Sequence, residues 1–401
     1  MKFLDSIQLI THLLMMSQTQ LVSAKSHVGF NFALALQKEP LEAEKAAEIL
    51  TKTFPHLSKA KLFGSSPEDL NNADILFAAG IKEVTVAVPQ FQVWNGFASA
   101  VDDAFAKTLV DTAILPRISS GENKMSIVIG NEPFASWHNT PGDALLSSYR
   151  AVRNALIEAG VKKEVKMSVP FQYGILQNTF PPSSSEFREE FKPTIEALAE
   201  HMYEDEDMFE INIYPYFAYR DNSDVIPLGY ALGTNSTVAP DGIEYSSLLH
   251  AMYSGVESAL LKLNSNFTEK SLIVIGETGW PTEDTPFDTN IKPFEFASIE
   301  NAEEFMKNAL ATKIPLYIFE AFDEQLKSID SGAGGQFSNV ENNWGFFKEN
   351  GDPKYEIAEL QIEDEPVLDD VPASSSPSFT LKTSAFAILS SSVLASLFSM
   401  H

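Results

Sequence analysis

The chain has 401 residues, 44% of them hydrophobic and 29 of them Phe, enough to bury the core of one large domain. Its 55 Asp and Glu outnumber 28 Lys and Arg and leave a formal net charge of −27, which argues against a nucleic-acid partner because phosphate binding needs clustered cations. There is no Cys, so disulfides, thiolate metal sites and a cysteine nucleophile are excluded.

Residues 1–24 read as a secretory signal peptide: Lys2, the apolar run Ile7–Met16 (interrupted by His12) and a small-x-small end at Val22-Ser23-Ala24. Short β-rich runs then alternate with amphipathic stretches. Strands are expected over Val28–Phe32, Ala60–Phe63, Glu83–Val88, Ser126–Gly130, Val165–Val169, Glu210–Tyr214, Leu272–Gly276 and Pro315–Phe319. Helices are expected between them, over Leu41–Thr53, Pro67–Ala79, Ala98–Ala113, Gly142–Ala159, Lys192–Tyr203, Ser246–Leu263 and Ile299–Thr312. Near-continuous apolar strands suit a parallel sheet buried on both faces. Eight of them within residues 25–360 predict an α/β fold, a (β/α)8 TIM barrel. An open doubly wound sheet shares the alternation, but Ala33-Leu34-Ala35-Leu36 follows the first strand where a Gly-rich phosphate loop would stand. The stretch Phe217–Ser271 is long enough for an extra loop or subdomain over the barrel mouth.

Beyond the barrel, residues 361–383 form an acidic and Ser-rich linker with small residues at Ala373-Ser374-Ser375-Ser376. The apolar tail 384–401 follows a polar spacer, the order of a GPI-attachment signal whose tail is removed. Sequons at Asn235-Ser236-Thr237 and Asn266-Phe267-Thr268 fit the same export route. The expected location is therefore the outer cell surface or wall, with the membrane reached only through the lipid anchor.

Reactive side chains of such barrels stand at the C-terminal strand ends. Those ends carry Asn31, Lys61, Gln90, Asn131-Glu132, Gln172, Asn212 with Tyr214, Glu277, and Glu320 with Asp323-Glu324. Glu132 and Glu277 each directly close an apolar run, at the fourth and seventh strands, and each has a Trp within five residues (Trp137 and Trp280). An unpaired buried carboxylate is costly, so each is functional, paired or solvated. Two carboxyls opposed across a mouth can cleave a glycosidic bond, one protonating the leaving oxygen, the other attacking the anomeric carbon or activating water. Asn131 would then reach a sugar 2-hydroxyl. Ordinary strand-end carboxylates paired with Lys or Arg are the plainer alternative. The seven His form no metal-binding pair, no Gly-x-Ser-x-Gly elbow occurs, and Glu204-Asp205-Glu206-Asp207 reads as a solvated helix end rather than a calcium site.

The motifs resemble those of glycoside hydrolase family 17, the β-1,3-glucanases and glucanosyltransferases of plants and fungi. The blocks are Ile129-Gly130-Asn131-Glu132, Ile211-Asn212-Ile213-Tyr214-Pro215-Tyr216-Phe217, Ile275-Gly276-Glu277-Thr278-Gly279-Trp280-Pro281, Phe319-Glu320-Ala321-Phe322-Asp323-Glu324, and Glu341-Asn342-Asn343-Trp344-Gly345. The resemblance implies a retaining, metal-free and cofactor-free enzyme acting on β-1,3-glucan as a monomer, with Glu132 as acid/base and Glu277 as nucleophile. It implies that Glu324, Lys327 and Glu341 line the site, and that Asn31, Asn131, Asn212, Tyr214, Phe217 and Trp280 position sugar. Three departures fall on one side of the cleft: Asn31-Phe32-Ala33 for Asn-Tyr-Gly, Lys61-Leu62-Phe63-Gly64 for Arg-x-Tyr-Asp, and Pro89-Gln90 for Pro-Asn. Hydrolysis of internal bonds is the leading expectation. Transfer to a sugar acceptor shares its chemistry, and a non-catalytic glucan-binding wall protein is the alternative that the departures motivate.

Overall fold

The computed structural model describes residues 27–89, 91–94, 97–135, 138, 140–264, 267, 272–284, 292–327 and 340–358. The expected signal peptide, linker and tail, together with Gln90, Trp137 and Asn266, lie outside them.

Eight parallel strands form a ring in chain order: β1 (Val28–Asn31), β2 (Lys59–Lys61), β3 (Glu83–Val88), β4 (Lys124–Ile129), β5 in two pieces (Lys166–Ser168 and Pro170–Gln172), β6 (Met208–Asn212), β7 (Leu272–Thr278) and β8 (Leu316–Ile318). β1 pairs with both β2 and β8. The first piece of β5 pairs with β4 and the second with β6, so the ring closes through the broken strand. The break falls at Val169–Pro170, where proline has no N–H to continue a ladder. The expected barrel is therefore present, with β5 running three residues past its expected end.

Some of the helices start at side-chain caps and others do not. α1 is Ala43–Thr53. α2 (Pro67–Ala78) starts in a capping box, in which Ser66 accepts from the Asp69 N–H and Asp69 bonds back to the cap. The expected helix Ala98–Ala113 needs correction: Phe97–Ala100 pairs as a hairpin with Phe91–Trp94, and α3 (Asp103–Leu109) begins only after the Asp102 cap. The helix then widens to i→i+5 bonding over Val110–Ile114. Pro116 explains this, since it cannot donate to the Thr112 carbonyl; the Arg117 guanidinium donates to Thr112 and Ala113 instead.

α4 (Gly142–Glu158) and α5 (Lys192–Glu204) cover the next strands. Between β6 and β7 the expected insertion is real. It contains α6 (Pro215–Asp221), α7 (Leu228–Leu232) and the hairpin Thr237–Val238/Glu244–Tyr245, and precedes α8 (Leu248–Leu263). α9 (Ile299–Ala311), capped by Ser298, packs between β7 and β8 in sequence.

One irregularity positions the site. Ile211 and Asn212 of β6 face Ile275 and Glu277 of β7, skipping Gly276. On the other side Leu316 and Ile318 face Ile275 and Thr278, again with one residue extra on β7. A β-bulge therefore sits at Gly276. Bulges of this kind turn the following side chain to a new direction.

Candidate active site

Glu132 follows β4 directly, in a turn that Gly130 enters at φ +72° and that Glu132 itself holds at φ +44°. For a residue with a Cβ that conformation costs on the order of 1 kcal/mol and persists only where surroundings impose it. Here the Glu132 N–H donates to the Pro170 carbonyl at 2.9 Å, tying the turn to β5. Its carboxyl Oε1 accepts from Asn212 Nδ2 at 2.9 Å. Glu277 lies beyond the bulge, 5% exposed, and its Oε2 accepts from the Tyr214 hydroxyl at 2.8 Å. Its Oε1 has no partner among the described residues. Neighbouring positions on one strand end, Asn212 and Tyr214, thus hold one carboxyl each.

The electrostatics separate the two. Burial pushes the Glu132 carboxyl up to about 7, and the Glu277 charge adds to this against Asn212 and Lys61. Burial also raises Glu277, but Lys61, the Tyr214 hydrogen bond and Lys327 oppose it. One carboxyl is thereby disposed to hold a proton near neutrality, while the other has cations and a hydroxyl turned to its ionised form.

The segment after β8 supplies the second cation. Lys327 Nζ bonds Glu320 at 2.9 and 3.1 Å and Glu324 at 2.9 Å, and stands 4.2 Å from the Phe319 ring centroid. Against burial, these two carboxylates hold Lys327 protonated. Glu341 is raised by burial, with Lys327 and Arg220 opposing. Phe319, Trp344 and Phe217 surround Tyr214, with centroids 5.9, 5.2 and 5.5 Å from its ring. Arg220 caps the Phe217 face at 5.0 Å.

Glu132, Glu277, Asn212, Tyr214, Phe217, Lys327 and Glu341 accordingly belong to one contiguous set of contacts and charges, with Glu324 joined through Lys327 and Asn131 beside Glu132. Two expected sugar contacts are placed elsewhere. Trp280 is 1% exposed; its ring meets Tyr216 and Phe305, and its Nε1 donates to the Phe296 carbonyl at 2.8 Å, so it is core and offers sugar no face. Asn31 is fully buried, and its amide donates to the carbonyls of Gly276 (3.2 Å) and Ile318 (3.4 Å). Asn31, the last residue of β1, turns into the barrel, whereas Trp280, two positions past the end of β7, turns outward into the layer between α6 and α9. The altered strand ends behave similarly: Phe32 is buried edge-on to Phe322, while Phe63 is 36% exposed at the rim against Phe319.

Two residues were missed as site components. Lys61 and Glu210 form an ion pair inside the barrel, each 1% exposed, from β2 and β6. In the sequence Lys61 reads as a strand end and as a departure from the family pattern but carries no assigned role, and Glu210 reads only as the first residue of an expected strand. The two stand 149 positions apart. Among the described residues no cluster of His, Cys, Asp and Glu is arranged to hold a metal ion.

A closed parallel barrel with two unequal carboxyls at the ends of β4 and β7, Glu277 buried and Glu132 half-buried, defines a glycoside hydrolase type of site. The family model for glycosyl hydrolases family 17 matches residues 71–358, and the chain belongs to that family. It is 30% identical over 307 residues to glucan endo-1,3-beta-glucosidase 12 of Arabidopsis thaliana, covering 71% of this chain and 53% of that protein. It is 28% identical over 348 residues to glucan endo-1,3-beta-glucosidase 14 of the same plant, covering 82% and 81%. The chain thus spans about half the length of the first relative and most of the second. The fold matches that of CJP38, a beta-1,3-glucanase and allergen of Cryptomeria japonica pollen, with TM-score 0.69 and 24% identity over 84% of this chain and 100% of that one.

Proposed function

We propose that the protein hydrolyses internal β-1,3-glucosidic bonds with retention, Glu132 acting as acid/base and Glu277 as nucleophile. The observation that carries this reading is the unequal pair: a carboxyl pushed up to about 7 beside one with an oxygen bonded to Tyr214 and the other without a partner among the described residues. In the first step Glu277 Oε1 attacks the anomeric carbon while protonated Glu132 gives its proton to the departing glycosidic oxygen. The Tyr214 hydroxyl holds Oε2, so the attacking oxygen keeps its aim. Ionised Glu132 then takes a proton from water as that water displaces Glu277. Asn212, bonded to Glu132 Oε1, leaves Oε2 to carry the proton in both steps. Glu324, Lys327 and Glu341 set the charge around Glu277; Asn131, Phe217 and the exposed edge of Phe63 are the groups we assign to sugar contact.

The test is product analysis of residues 25–375 on linear β-1,3-glucan oligosaccharides beside Glu277→Ala. Shorter products from the wild type and none from the variant are expected. Lengthened products at high oligosaccharide concentration would move the assignment to transglycosylation. Folded protein that binds glucan and cleaves none would leave only a binding role. Export and lipid anchorage belong to the same proposal and rest on residues 1–24 and 361–401 alone.

A further inference from the structure

Gly276 is the residue that the bulge inserts into β7, directly ahead of Glu277. Its carbonyl is turned into the barrel, where two donors from other strands reach it: Asn31 Nδ2 from β1 at 3.2 Å and Lys61 Nζ from β2 at 3.4 Å. The space beside its Cα is taken as well. A Cβ at Gly276 would run into the Glu210 carboxylate, which binds Lys61 through one oxygen and accepts from Ser168 Oγ through the other at 2.8 Å. A buried charge pair with nothing to do beyond packing is poor at stabilising a fold, because desolvation cancels most of its attraction. This one grips the backbone that aims a reacting carboxylate.

We propose that Asn31, Lys61 and Glu210 form a latch on the Gly276 bulge and are positioning residues for Glu277. The proposal rests on Glu277 being the nucleophile. Lys61 and Asn31 fix the bulge carbonyl, Glu210 fixes Lys61 and fills the glycine's missing side chain, and the bulge fixes the direction of Glu277. The charged and titratable groups facing Glu277 are Lys61 from β2, Glu132 after β4, Glu210 and Tyr214 from β6 and its end, and Lys327 and Glu341 after β8. Among them the latch contributes charges of opposite sign. Lys61 favours the ionised nucleophile and Glu210 opposes it.

The experiment compares Lys61→Met, Glu210→Gln and the double variant Lys61→Met/Glu210→Met on an aryl β-1,3-glucan disaccharide, by melting temperature and by the pH profile of kcat/KM. The expected result is that the acid limb moves to higher pH in Lys61→Met and to lower pH in Glu210→Gln. The double variant, which leaves no unpaired buried charge, is expected to fold and to lose on the order of 10–100-fold in kcat with KM little changed. A merely structural pair would lower melting temperature without opposed pH shifts. Limbs that stay put or move together overturn the proposal, and if the single variants do not fold, wild-type kcat in the double variant overturns it. Glu277→Ala with azide is run alongside. Formation of the inverted α-glycosyl azide identifies Glu277 as the nucleophile whatever the latch variants do, and its absence removes the underlying reading instead.

Discussion

Tyr214 donates one hydrogen bond to Glu277 and thereby chooses which carboxylate oxygen is left to react. A hydrogen bond to a charged group contributes about 1.5–3 kcal/mol. Tyr214→Phe is therefore expected to lower kcat/KM on the order of 10–100-fold. It should also move the acid limb to higher pH, because the bond favours the ionised nucleophile. Steady-state kinetics across pH reads both effects. Glu132 makes the complementary case. Its folded pKa, about 7, lies above its ordinary value of 4.5, so its contribution to stability is full below that ordinary value and is lost as pH rises through about 7. Glu132→Gln is expected to abolish turnover of unactivated glucan while raising the melting temperature at pH 8 by about 2–6 °C, and by less at pH 4. Thermal melts at the two pH values check this. A variant less stable than wild type at pH 8 contradicts it.

At the scale of elements, the strand end after β6 and the bulge in β7 divide the work. β6 presents Asn212 and Tyr214 to the two carboxyls, and the bulge turns Glu277 toward them. Around this strand end Phe319, Trp344 and Phe217 close on the Tyr214 ring. Trp280 shows how adjacency in sequence misleads. It stands three positions beyond Glu277, yet a strand alternates its faces and the chain turns after Thr278, so the indole enters the layer between α6 and α9. Trp280→Ala is expected to cost about 3–5 kcal/mol of stability, as for other large buried aromatics. Chemical denaturation measures that loss. At temperatures where the variant stays folded, KM for β-1,3-glucan oligosaccharides should be near wild type; a large rise in KM with unchanged stability would restore Trp280 to the sugar site.

For the molecule as a whole, the excess of carboxylates suits a neutral polysaccharide partner and resists anionic ones. The terminal segments carry the prediction about place: a phosphatidylinositol-cleaving lipase is expected to release the protein from intact cells, and a product retaining residues 384–401 would end that proposal. Most of the fold was legible in the sequence because parallel strands buried on both faces must be apolar throughout, and most of the intervening helices announce themselves by period, several by a cap as well. The hairpin Phe91–Trp94/Phe97–Ala100 was not, since its second strand reads equally well as the start of a helix. Within the site, Glu132, Glu277, Asn212 and Tyr214 were legible because each closes a strand, where a polar residue needs a reason to be. What the sequence determined by itself was the alternation that makes a barrel and the two carboxyls at its mouth, both local in pattern. Only the tertiary structure decided that Asn31 and Lys61 turn inward to the Gly276 carbonyl, that Glu210 completes Lys61, and that Trp280 is core. Those facts depend on register across strands up to 245 positions apart and on one extra residue in β7, and a side chain's direction is fixed only when that register closes.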